Sequence, residues 1–80
     1  MLYNQALLDE LNVLARYNLT SAQEGIKVHH DAAPAVIEAT ARLFHKGLVD
    51  HEDGGYLTHL GLETAEKVQA VLTILCTETA

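Results

Sequence analysis

Five histidines, eleven carboxylates, one cysteine and one serine are the side chains of this 80-residue sequence best suited to metal binding or catalysis. A metal site needs imidazoles or thiolates that converge on one point, usually announced by H-x-x-x-H or C-x-x-C spacing. Neither spacing occurs. His29-His30-Asp31 and His51-Glu52-Asp53 cluster only by adjacency, and neighbours on a strand point to opposite faces. His45 and His51 approach only across a helix–turn junction. We therefore expect no metal and no cofactor. Cys76 sits in an apolar run, which favours a buried structural thiol over a nucleophile. Ser21 fits a helix cap. Glu63 with Glu66, and Asp50 with Asp53, are ordinary surface carboxylate pairs. Gly54-Gly55 makes a turn, not a phosphate loop, because no G-x-x-x-x-G-K-[ST] pattern surrounds it. No catalytic set emerges, and an enzyme is not expected. The histidines have one collective effect. Protonating all five moves the net charge from −6 toward −1, so self-association can respond between about pH 5 and 7.

Composition narrows the class further. One domain, residues 1–80, fits the length. A chain this short buries roughly 60% of its unfolded surface, so its core is thin. Apolar residues make up 49%, too many for a solvated coil. Five cations against eleven acids oppose a phosphate-binding surface. A single cysteine suits a reducing compartment. Asp9 and Glu10 interrupt the first apolar cluster, so it does not read as a signal peptide. The uncharged run from Val68 to Thr77 is about half a membrane span. A cytoplasmic location without a membrane segment is the expectation.

These side chains must be carried by local elements. Leu7, Leu11 and Leu14 recur at helical spacing, with Leu8 and Ala15 beside them, which predicts a helix over Asn4–Tyr17 capped by Asn4. Leu19–Gly25 reads as a short helical turn, with capping boxes available from Thr20 and Gln23 or from Ser21 and Glu24. Ile26–His29 alternates like a strand. Pro34 starts a helix that runs to Lys46, with Ile37, Ala41 and Phe44 on one line and Val36, Thr40 and Leu43 on the next. Gly47 ends it in a left-handed conformation. Leu48-Val49 and Tyr56–Thr58 are strands around the turn Asp50–Gly55. Tyr56 is expected to pack on Phe44. Thr58 caps a last helix, Leu60–Cys76, which points Ala65 and Val68 inward and is apolar almost all round beyond Val68.

Leu43-Phe44-His45-Lys46-Gly47-Leu48-Val49 followed by Gly55-Tyr56-Leu57-Thr58-His59-Leu60-Gly61 resembles the segment of bacterial winged helix-turn-helix regulators that leaves the second motif helix, forms the wing and starts the next helix. The resemblance covers roughly Pro34–Gly61. It implies a mainly α fold with a small β-hairpin, about four helices and a two- or three-stranded wing. Gln23–His29 and Gly54–Thr58 also resemble a small family of bacterial proteins of this length, which has no established function to carry over.

The winged-helix resemblance implies DNA binding through the Pro34–Lys46 helix, using Arg42, His45 and Lys46, with Lys27 on a phosphate. The residues argue against it. The outward positions, Ala35, Glu38, Ala39, Arg42, His45 and Lys46, place alanine where bases are normally read. The wing carries Asp50, His51, Glu52 and Asp53 where cations are needed. The expected function is therefore non-enzymatic: an interaction domain with a protein partner in a regulatory assembly, with DNA binding as the alternative. The two terminal helices are more apolar than a thin core can absorb. A homodimer is expected, with Val68, Val71, Leu72, Ile74 and Leu75 at the seam.

Overall fold

A computed structural model describes residues 2–20 and 24–77. Three α-helices and a three-stranded antiparallel sheet follow in the order α1 (Gln5–Leu14), β1 (Ile26–Lys27), α2 (Pro34–His45), β2 (Val49–His51), β3 (Gly54–Leu57) and α3 (His59–Cys76). The strand order is β1-β3-β2. The chain is thus mainly α with a small hairpin, but three helices replace the expected four among the described residues. The short turn expected at Leu19–Gly25 falls partly on residues 21–23, outside the described residues, as does one member of each capping box.

Helix α1 starts as its sequence dictates: the Asn4 side chain accepts the Leu7 N–H at 2.9 Å. It ends three residues before the expected Tyr17. Tighter turns close it, with Tyr17 N–H donating to the Leu14 carbonyl. Tyr17 then turns inward and donates its hydroxyl to the Gly55 carbonyl at 3.1 Å. Burial, with the Asp50 carboxylate adding to it, pushes the Tyr17 phenol up to about 12. The Gln69 amide on α3 donates to the carbonyls of Leu14 and Tyr17, so α3 satisfies the open end of α1.

Helix α2 begins with Pro34 in its first turn and stops before Gly47, whose φ of 80° only glycine adopts at little cost. Its buried residues are Ala39, Thr40 and Leu43. Thr40 and Leu43 face inward as expected, and the correction concerns their neighbours. Ala39, expected outside, is fully buried, while Phe44, expected inside, is exposed and meets His45 edge-on. Ala39 shares the buried core with Val13 and Leu14 of α1. Ile37 and Ala41 are turned toward the hairpin instead. Tyr56 is exposed too, so the expected stacking on Phe44 is replaced by the Phe44–His45 pair.

The strands reach closer to the turn than expected, leaving Glu52 and Asp53 at its tip. Positive φ falls on Gly54 and Gly55, just after the turn, and the register shifts there between β2 and β3. Asp50 holds this bulge together by accepting the Tyr56 N–H at 2.8 Å and pairing with His51 Nδ1 at 2.7 Å. Strand β1 is only two residues long, although Val28 N–H still donates to the Asp53 carbonyl.

Helix α3 is positioned by one tight junction. Thr58 Oγ1 accepts the Gly61 N–H at 3.0 Å and donates to the Gly47 carbonyl at 2.6 Å. Thr58 N–H donates to the Leu48 carbonyl at 3.1 Å. Gly61 lies directly over that peptide: a Cβ there would stand 2.8 Å from the Leu48 carbonyl carbon and closer still to its oxygen. The core is Val13, Leu14, Tyr17, Ala39, Leu43, Val49 and Ala65. No described helix is long and apolar enough to cross a membrane.

Gly61→Ala should therefore destabilise the domain by about 2 kcal/mol, the range of an overpacked core site. Gly47→Ala meets no neighbour and should cost about 1 kcal/mol through φ alone. Urea unfolding of both variants checks the order; equal losses would contradict the close contact.

Candidate interaction surface

Two faces of the molecule could receive a partner: the α2–hairpin face, the counterpart of the face through which a winged helix meets DNA, and the end of α3. On the first, the sequence offers four cationic positions. The structure disperses them. Arg42 Nε donates to Glu10 Oε2 at 2.7 Å, and Lys46 Nζ donates to Glu10 Oε1 at 2.5 Å. Arg42 also donates to the Ala6 carbonyl at 3.1 Å. Glu10 is 5% exposed, so its carboxylate is a buried charge held by two cations from the next helix. Burial pushes its pKa up, but the hydrogen bonds and charges of Lys46 and Arg42 outweigh burial and hold it below the ordinary glutamate value. His45 faces Glu52 at 3.8 Å, with both side chains exposed. Lys27 lies on β1, across the hairpin, paired in register with Gly54.

Between β1, α2 and the hairpin lies an open cleft of about 540 Å³. Ile37, Ala41 and Val28 form its floor, and Lys27, His29, His30 and His51 line it with Glu52 and Asp53. Its titratable groups are mixed in sign. Among the described residues, no three or more histidine, cysteine or carboxylate side chains gather closely enough to hold a metal ion. His45 and His51 each take a different carboxylate, Glu52 and Asp50. The Asp50 pKa is lowered by the Tyr56 N–H, then by His51. Asp50 is thus committed to local structure within the hairpin, and Glu52 faces His45.

The second face is the end of α3. Burial along this helix stops early: Gly61 and Ala65 are buried, Val68 and Gln69 half-buried, and residues 70–77 all exposed. Val71 is 55% exposed, Leu72 48%, Ile74 71% and Leu75 77%. Cys76 is exposed as well, not buried as its apolar neighbours suggest. Past Gln69 the helix overhangs the buried core, and its aliphatic side chains are exposed. Beside this overhang runs an apolar groove of about 370 Å³, formed by Tyr3, Leu8 and Leu11 facing Val68, Val71 and Leu75, with Lys67 at its edge.

Sequence reasoning missed Glu10, Tyr17 and Gln69 as organising groups. Glu10 left one legible signal, since Arg42 and Lys46 are one turn apart on α2 and together suit a single carboxylate. Tyr17 and Gln69 left none, because their partners are backbone carbonyls distant in sequence.

A small three-stranded sheet framed by three helices defines the architectural class. The family of unknown function DUF5669 matches residues 1–76, and the chain belongs to it. No curated protein and no solved structure matches the chain.

The Glu10 clamp predicts a pH signature. Its lowered pKa contributes stability above the unfolded value of about 4.3, and that stability disappears as pH falls through the folded value. Glu10→Gln should cost about 1–2 kcal/mol at pH 7, below the full value of a charged hydrogen-bonded pair because both cations are partly solvated. Thermal melts from pH 7 to 3 should show the two proteins converging below about pH 4. A constant gap across that range would contradict the clamp.

Proposed function

We propose that this chain is a non-enzymatic, winged-helix-like interaction domain of the bacterial cytoplasm. It acts as a homodimer and engages a protein partner in a regulatory assembly. The order of helices around the hairpin and the pairing of a short early strand with it, β1-β3-β2, support the winged-helix reading. The observation that carries the functional reading is the uncharged, exposed end of α3, where four large aliphatic side chains stand in solvent. Exposed apolar faces of this extent mark protein contacts.

DNA binding has weaker support. Two of the four cations expected to touch DNA are tied to Glu10, and the hairpin tip presents Glu52 and Asp53. Phosphate affinity rises with the number of cations brought to the backbone, and here that number is small.

The two readings respond oppositely to salt. Two copies of charge −6 repel, so screening should strengthen an apolar dimer. Sedimentation equilibrium at micromolar concentration should show a dimer that tightens with added sodium chloride. Duplex DNA of mixed sequence should not co-sediment with it at low salt. A monomer that binds DNA and releases it steeply with salt would overturn this assignment.

A further inference from the structure

We propose that the exposed end of α3 is a reciprocal seam: in a two-fold dimer, the overhanging turns of each copy lie in the groove between α1 and α3 of the other. This rests on the homodimer reading and specifies its surface. The chain exposes 5739 Å², whereas a folded monomer of its 8.7 kDa mass exposes about 4,700 Å². The excess of about 1,000 Å² is close to the roughly 800 Å² that each partner contributes to a standard interface. The molecule is also extended, at 41 × 31 × 22 Å with a radius of gyration of 12.7 Å, against about 11.6 Å for a compact chain of this length. Four of the exposed large hydrophobic side chains, Val71, Leu72, Ile74 and Leu75, lie on the overhang. From Gln69, its last residue bonded to the body, to Cys76 the helix projects about 10 Å, at 1.5 Å per residue.

Chemistry then selects the occupant. The groove is apolar on both walls and carries one charge, Lys67, at its rim. A matching partner is an uncharged apolar helix, the kind of element that docks in such grooves. The overhang of a second copy has that character, with no charge from Val68 to Thr77. Its placement beside the groove lets the same contact be made twice around one axis. Closed, isologous contacts of this kind end in a dimer and not a fibre. The seam avoids the acidic hairpin, where two copies of this chain repel.

Three single substitutions separate the possibilities, read by sedimentation equilibrium with circular dichroism to check the fold. Leu75→Asp alters the overhang and with it the α3 wall of the groove, Leu8→Asp the groove wall on α1, and Leu60→Asp an exposed apolar site at the other end of α3. We expect Leu75→Asp and Leu8→Asp to weaken dimerisation at least about 30-fold, the scale of a central interface residue, with helicity retained. Leu60→Asp should leave the dimer intact. A wild-type monomer, bare or holding a different protein on this face, overturns both the seam and the homodimer reading. A wild-type dimer unaffected by Leu75→Asp or by Leu8→Asp overturns the seam alone and leaves the homodimer reading standing.

Discussion

The contact between Gly61 and the Leu48 peptide fixes the geometry on which the molecule depends. Thr58 bonds forward to Gly61 and back to Gly47. Leu48 accepts the Thr58 N–H. The start of α3 is thereby locked against the end of α2 and the root of the hairpin. A helix so anchored has one direction available. Ala65 is buried and Val68 half-buried along it, then the body runs out. The exposed apolar end of α3 follows from where the helix is pinned and from how little body 80 residues supply.

Electrostatics shape the opposite side in the same way. Burying the Glu10 carboxylate between α1 and α2 is tolerable only because Arg42 and Lys46 reach it. Those cations belong to the helix that a DNA-binding winged domain would use for reading bases. Their commitment to an internal pair leaves the α2–hairpin face with mixed charge and an acidic tip. The bare apolar area of the molecule lies elsewhere, at the end of α3.

Much of this was legible from local rules. Asn4, Pro34, Gly47 and Thr58 are punctuation whose mechanisms are local, and each marks the start or end of a helix in the structure. The bare end of α3 was visible in the uncharged stretch beyond Val68. The rotation of α2 was not, because two apolar lines lay side by side, and packing in the core buried the line of Leu43 together with Ala39 while leaving Phe44 exposed. A fourth helical element was expected from the turn chemistry of Leu19–Gly25, which falls partly on residues 21–23, outside the described residues. Family membership, covering residues 1–76, agrees with the likeness to a small uncharacterised family and adds no chemistry.

The central claim is that the apolar end of α3 is covered by its own counterpart. Isotope-filtered nuclear Overhauser spectroscopy on a mixture of labelled and unlabelled chains addresses it directly, because only contacts between copies survive the filter. The account predicts cross-peaks from the Leu75 methyls of one copy to the Leu8 and Leu11 methyls of the other. Intermolecular cross-peaks confined to the hairpin or to α2, or none at concentrations where the chain sediments as a dimer, would contradict it.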